Sequence, residues 1–506
     1  MTITTMARPA GPEPVIGQPD RASRLAGRSA IAAIGVAVVL IVAAGLLRRS
    51  WMPPTLIMPV SGPPWEITAL VSPRTVVVVI WIAGLLASAG VATGLVAVRR
   101  GWPVPLRALI VIAVLAVAVI TVLPPFGSTD ALDYAIYGHI VALGHSPYVM
   151  TPAQYQRLAG LRFGVPRDWA HDPSVYGPLA TAEQFAAARL GGVSLARTVF
   201  WLKLGNDLAF GAIAFAADRV FRADRAARIR AHLLWTANPL IIWNVVAGAH
   251  LDVLAAAVGL AGLLIADRHV GRDTARRSLA AALAAGFLVG AAADVKAAFA
   301  LYGVGLAWSL RRKPGHLLAA AAGAAAILVP SYAVAGMPAI RALSTRAAGG
   351  LGYGFYGLFL THLGSGSLNY VVPIAVCLLV PVAWLALKRI PSGRDDQQAV
   401  RAALALSMAW LLVWPHQFAW YSVMIICVLV FFQSSRLDWV ALIWLAVMTV
   451  ADMPGLGSAP AFRLGRVLGA IQHENLGRIA PAVMLAVLAA FVAGCVTQRW
   501  HARTEA

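Results

Sequence analysis

Fourteen apolar runs, spread from residue 30 to residue 497, constrain this chain more than any other feature. They fall at 30–47, 75–98, 105–123, 198–218, 231–247, 252–266, 278–293, 297–310, 316–333, 369–387, 401–414, 421–434, 437–451 and 479–497. A bilayer core of about 30 Å is crossed by about 20 apolar helical residues. In lipid every backbone N–H and C=O must be satisfied inside the element, which a helix does by itself. The expected fold is an all-α polytopic membrane protein with about 12–14 transmembrane helices. Composition agrees, with 60% hydrophobic and 12% charged residues against about 25% charged in a soluble chain. Neither a soluble enzyme nor a disordered chain fits these values.

The formal charge of +20, from 41 Lys+Arg and 21 Asp+Glu, would suggest a nucleic-acid partner in a soluble protein. Between apolar runs it suggests basic cytoplasmic loops instead. Alternating the runs from a cytoplasmic N-terminus puts 26 of the 41 basic residues in short inner loops and tails, and 13 outside. The remaining two, Lys203 and Lys296, lie within or near a run. The expected organisation is a disordered cytoplasmic tail over 1–29 with Pro9, Pro12, Pro14 and Pro19, a membrane-embedded domain over 30–497, and a cytoplasmic tail over 498–506. Long extracytoplasmic loops fall at about 124–197, 334–368 and 452–478. The implied location is the cell membrane, with no nucleic-acid partner.

Cys377, Cys427 and Cys495 each sit inside an apolar run with no CxxC spacing, so neither a zinc site nor a disulfide scaffold is indicated. No GxxxxGK[ST] loop offers an ATP engine. No repeat at fixed period is visible either, which weakens an inverted-repeat transporter.

Chemistry concentrates in the first long loop. Ser128-Thr129-Asp130-Ala131-Leu132-Asp133-Tyr134 reads as the capped start of an amphipathic helix. Asp130 and Asp133 are i,i+3 neighbours on one face. Such a pair of like charges raises one carboxyl pKa, which suits a general base. Gly144-His145-Ser146-Pro147-Tyr148 and Tyr176-Gly177-Pro178-Leu179 follow as turn-rich aromatic segments. Further on come Trp235-Thr236-Ala237-Asn238-Pro239-Leu240 and Gly248-Ala249-His250-Leu251-Asp252.

In that order, these motifs resemble the actinobacterial polyprenol-phosphomannose-dependent α-(1→6)-mannosyltransferases, multi-pass enzymes of the GT-C fold. The likeness is dense over about 124–300. Leu251 stands where the family tends to have Asn, and Asp133 where it tends to have Ser. The resemblance implies an extracytoplasmic inverting transferase that takes mannose from a polyprenyl-phosphate-mannose donor and passes it to a glycan or lipoglycan acceptor. The catalytic acid of the family falls on Asp130, which is preferred over Asp133 as the base.

Loss of a lipid phosphate asks for cations. His250, Lys296 beside Asp294, Arg341, Arg346 and His416 are the outward-facing candidates. An Asp294–Lys296 pair with a purely structural role is the competing reading for Lys296. Tyr134, Tyr148, Tyr176, Asp252, Tyr353 and Tyr356 are candidates for sugar or acceptor contacts, the last two in the glycine-rich segment 349–357. Trp414–Tyr421 reads equally as an aromatic belt at the membrane boundary. Lys203 with Asn206 and Asp207 reads as a buried polar network. No cofactor is required. A divalent metal could sit on Asp130, Asp133 or His250, but no ligand spacing compels one. A polyprenyl-phosphate-arabinose-dependent arabinosyltransferase, a non-catalytic lipid or polysaccharide transporter, and a non-catalytic assembly partner stand as alternatives.

Overall fold

The computed structural model describes residues 21–46, 61–67, 71–102, 105–160, 169–346, 354–360, 368–391, 397–451 and 478–497. The chain opens with α1 (Arg21–Leu46), α2 (Pro73–Arg99) and α3 (Leu106–Thr121). The first long loop holds α4 (Asp130–Ala142), α5 (Pro152–Leu158) and α6 (Pro178–Gly191). Next come α7 (Leu195–Val220), α8 (Arg225–Leu234) and α9 (Pro239–Ile241), which runs on as a π-helical turn over Ile242–Ala247. Then follow α10 (Asp252–His269), α11 (Ala275–Val295), α12 (Ala300–Leu310), α13 (Pro314–Ala335), α14 (Met337–Arg346) and α15 (Gly357–Leu360). The described helices end with α16 (Leu368–Arg389), α17 (Gln398–Val413), α18 (Val423–Leu429), α19 (Leu437–Ala451) and α20 (Ala480–Thr497).

Each of the fourteen apolar runs meets a helix. Among the described residues α1, α2, α7, α11, α13, α16 and α20 are long and apolar enough to cross a membrane. The segments 225–247 and 252–269 pass the same test only together, bent by 113° at the short break between them. Five apolar helical stretches are shorter: Leu106–Thr121, Ala297–Leu310, Gln398–Val413, Ala419–Leu429 and Leu437–Ala451. The protein is an all-α polytopic membrane protein whose expected 12–14 spans divide into full-length crossings, one broken pair and shorter apolar helices. The first helix starts at Arg21 rather than at residue 30, so part of the expected disordered tail is helical. The loop 452–478 lies almost wholly outside the described residues.

Lipid-facing and packed faces separate clearly on α13. It buries only Ala320 and Gly323 and leaves Leu318 and Val329 about two-thirds exposed. Its buried stripe meets α11 through small residues. A Cβ added at Gly286 would strike the Ala320 carbonyl, and one at Gly323 the Leu283 carbonyl. Close backbone approach of this kind is how membrane helices gain packing when lipid removes the hydrophobic drive.

Helix α4 departs from expectation. All of Ala131 to Ile140 is buried, so it is not an amphipathic helix lying on a surface but a helix enclosed by α5, α6 and α7. Its entry is fixed from below by polar groups on α7. Lys203, fully buried, donates to the carbonyls of Ile120 at 2.6 Å and Leu123 at 3.0 Å. Thr121 donates to the Asp207 carboxylate at 2.6 Å, and the Asn206 amide to the Ala249 carbonyl at 3.5 Å. The buried trio therefore caps the open carbonyls at the end of α3 and reaches the break before α10. Lys203→Met would strip two buried carbonyls of their donor and leave Asp207 without its cation. A loss of about 3 kcal/mol is expected, read as a lowered melting temperature in detergent; an unchanged melting temperature would contradict this role.

Candidate active site

Four short pieces of chain converge on one carboxylate. The first is the N-terminus of α4. The Asp130 N–H donates to Ser128 Oγ at 3.2 Å, while the Thr129 side chain makes no capping bond. Thr129 thus holds the cap position while Ser128 satisfies the first helical N–H. The second piece is the break between 247 and 252, where Ala249 adopts φ 56°, the one left-handed non-glycine among the described residues. That conformation is unfavourable for a residue with a Cβ, and such strain clusters at functional sites. The Phe126 N–H donates to the Ala247 carbonyl at 3.0 Å, tying the lead-in of α4 to this break. The third is the end of α11, and the fourth the 3-10 turn over Ala419–Ser422.

At the break, His250 is 1% exposed and its Nδ1 lies 3.5 Å from Asp130 Oδ2. Its ring stacks on Trp420, with centroids 4.0 Å apart and planes within 13°. Trp420 in turn stacks on Phe418 at 4.6 Å. An imidazole stacked on one face this way has its plane fixed, with Nδ1 turned towards Asp130. Two residues later Asp252 begins α10, and both its oxygens receive Lys296 Nζ at 2.7 and 2.8 Å. Lys296 Nζ also sits 4.4 Å from the centre of the Tyr421 ring, a cation–π contact. Lys296 therefore pairs with Asp252 and not with its neighbour Asp294. The reason is local: α11 ends at Val295, and Lys296 is extended at φ −147° and ψ 119°. Asp294 stays behind, fully buried, where its carbonyl packs against Gly177.

Tyrosines close the other side. Tyr134 donates to Asp130 Oδ2 at 3.4 Å, and Tyr176 donates to the Tyr134 hydroxyl at 3.4 Å. Their rings meet edge to face at 5.1 Å. The Tyr-Gly-Pro-Leu motif explains itself here. Any Cβ on Gly177 would collide with the Asp294 carbonyl, Pro178 occupies the first turn of α6, and Tyr176 is thereby delivered to the cluster.

The Asp130 side chain is 14% exposed. Burial pushes its carboxyl up from 3.8 to about 6. The Lys296 ammonium pulls it down, and the Asp252 carboxylate pushes it further up. A like charge on Asp130 thus comes from Asp252, on another helix. Asp133 is 3% exposed on the same helix as Asp130.

The remaining candidates disperse. His416 lies edge-on to Phe418 and 6.5 Å from the Tyr421 ring, one aromatic removed from Lys296. Tyr356 is buried and stacked on Phe355, in a segment whose Gly354 packs against the Pro415 carbonyl beside His416. Tyr148 gives its hydroxyl to a 2.8 Å bond with Thr181 and presents its ring to a separate cleft of about 420 Å³, which Arg341 also lines. Tyr353 and the side chain of Arg346 lie outside the described residues. Trp420 and Tyr421, which composition alone reads as a membrane belt, are instead part of the cluster. The only sign of this in the sequence is that they follow His416 within one aromatic segment. Among the described residues no group of three His, Cys, Asp or Glu side chains is placed to hold a metal ion.

Known proteins share sequence with this chain. A 31% identical stretch of 148 residues is shared with a probable alpha-(1->6)-mannopyranosyltransferase of Mycolicibacterium smegmatis, covering 29% of this chain and 26% of that protein. A 30% identical stretch of 146 residues is shared with an alpha-(1->6)-mannopyranosyltransferase of Mycobacterium tuberculosis, covering 29% and 25%. A third, 27% identical over 160 residues, is shared with alpha-(1->6)-mannopyranosyltransferase B of Corynebacterium glutamicum, covering 31% and 26%. The matched stretches span about a quarter of the length of these relatives. The family model described as alpha-(1->6)-mannopyranosyltransferase, N-terminal domain, matches residues 32–312. That range is more than half of the chain and contains Asp130, His250, Asp252 and Lys296, and on it the chain belongs to the alpha-(1->6)-mannopyranosyltransferase family.

Proposed function

We propose that this protein is an inverting GT-C-type mannosyltransferase that moves mannose from polyprenyl-phosphate-mannose to a glycan or lipoglycan acceptor at the outer face of the cell membrane. The observation that carries the reading is a carboxylate left 14% exposed, Asp130, in the field of one lysine, Lys296, which is held by Asp252 just past the break at Ala249. A base and a phosphate-binding cation are the two groups this reaction asks of a protein.

The step balances without a cofactor. An acceptor hydroxyl oxygen attacks C1 of the mannose as the bond from C1 to the phosphate oxygen breaks. Asp130 takes the hydroxyl proton. The polyprenyl phosphate leaves as an anion, with Lys296 stabilising its growing charge and His250 as a second contact. A carboxyl with a pKa of about 6 is mostly ionised at neutral pH, yet a better base than an ordinary aspartate. Asp252 holds Lys296 between turnovers, and Tyr134 and Tyr176 keep the carboxylate oriented. Fixed charges in a site shielded from water act without reorganising, which is where most electrostatic stabilisation comes from. The domain over 30–497, the cytoplasmic termini and the outer-face site belong to the same proposal, supported by the bias of basic residues towards short loops.

Displacement on a β-linked donor inverts C1. The mannoside formed from polyprenyl-phosphate-β-mannose should therefore be α-linked by NMR of the product. A β-linked product would overturn the single-displacement mechanism.

A further inference from the structure

We infer that the cleft between α14 and the two loops flanking α5 and α6 is the binding site for the neutral, hydroxyl-rich glycan acceptor, and that Arg341 serves it rather than the donor phosphate. This rests on the transferase reading above and adds where the second substrate sits.

The cleft measures about 420 Å³ and is lined by Tyr148, Val149, Asp172, Val175, Pro338 and Arg341 among others. That volume is within the range of small-ligand sites. Among the described residues its charged side chains are one carboxylate, Asp172, and one guanidinium, Arg341. Together these two cancel, so the described lining gives no advantage to a phosphate over a neutral molecule. A carboxylate accepts hydrogen bonds and a guanidinium donates them, so the two recognise ligands carrying many hydroxyls. The Tyr148 hydroxyl is already bonded to Thr181 at 2.8 Å, which leaves its ring as the apolar surface for a pyranose face. By contrast, the Asp130 cluster holds the cation Lys296, bound to a carboxylate that a phosphate can replace.

The cleft is also linked by hydrogen bonds and by chain adjacency to the Asp130 cluster. The Asp172 carbonyl accepts the Tyr137 hydroxyl at 3.0 Å, and Tyr137 lies on α4 two turns beyond Asp130. Val175 of the cleft wall is followed directly by Tyr176, which reaches Asp130 through Tyr134. A glycan seated in the cleft is thus held by the same short chain segment that orients the base. Val149, 61% exposed on the rim, leaves the outer end open for a longer chain.

The test is equilibrium binding to the full-length protein in detergent, with no donor present. α-1,6-linked mannotriose is one probe and farnesyl phosphate, a short anionic stand-in for the donor, is the other. Asp172→Asn and Arg341→Ala should each weaken the mannotriose at least about ten-fold and leave farnesyl phosphate within two-fold. Val149→Trp, at an exposed position, should block the mannotriose by filling the cleft, and stands as the control should either charge variant fail to fold. Weaker farnesyl phosphate binding in Arg341→Ala would overturn the inference, as would unaltered mannotriose binding in Val149→Trp or no mannotriose binding by the unaltered protein. Because no transfer is measured, a protein that binds mannotriose in the cleft but transfers no mannose would refute the transferase reading alone.

Discussion

Asp130→Asn is expected to insert and fold normally while mannose transfer falls about 10³-fold, the loss typical of a removed general base. Amide and carboxylate have nearly the same shape, so the contacts with Tyr134 and Ser128 have room to persist. The same substitution makes two further readouts. In the unaltered protein kcat/KM should rise with pH through about 6 and level off above it, because only the ionised Asp130 accepts the proton. Stability should move the other way. The folded carboxyl, raised from 3.8 to about 6 by burial, binds its proton more tightly than the unfolded one. Its contribution is therefore complete below about pH 4 and lost as pH rises through about 6, a change of about 3 kcal/mol. Asparagine carries no such cost. Asp130→Asn should melt higher than the unaltered protein at pH 8, with the gap closing towards pH 4. A variant that transfers normally, or that melts lower at pH 8, would contradict the role of Asp130.

The second large effect belongs to Lys296. Lys296→Met removes the cation proposed to meet the departing phosphate and leaves Asp252, 2% exposed, without the ammonium that its two oxygens share. Loss of one group that stabilises developing charge typically costs 10²–10³ in kcat, and about that reduction is expected here at saturating acceptor. Lys296→Arg keeps the charge and should recover part of the rate, since a planar guanidinium fits the Asp252 carboxylate but not the Tyr421 face in the same way. Equal rates for Lys296→Met and the unaltered protein would remove Lys296 from the mechanism.

Periodicity made the helices legible, because a run of apolar residues in lipid leaves the backbone few alternatives. The start of α4 at Asp130 was legible for a local reason too: a hydroxyl residue followed by acids is what an N-terminus needs. The partners of the charged residues were not. Lys296 has Asp294 two positions away and chooses Asp252, 44 positions away, because the helix ends between the two and turns the lysine aside. Asp133 shares a helical turn with Asp130, yet a carboxylate that acts on Asp130 comes from α10, brought there by the 113° bend at Ala249. Trp420 has the composition of a membrane belt, and only packing shows its ring against His250. Short-range rules see helix faces and caps; ion pairs across a bundle depend on where breaks and bends deliver a side chain.

The central claim is that this chain transfers mannose from a polyprenyl phosphate through Asp130. Membranes carrying the protein, supplied in parallel with radiolabelled polyprenyl-phosphate-mannose or polyprenyl-phosphate-arabinose and short α-mannoside acceptors, test it most directly. The account predicts label in the acceptor from the mannose donor, none above background from the arabinose donor, and loss of the mannose signal in Asp130→Asn. Transfer of arabinose instead, or mannose transfer that survives Asp130→Asn, would contradict it.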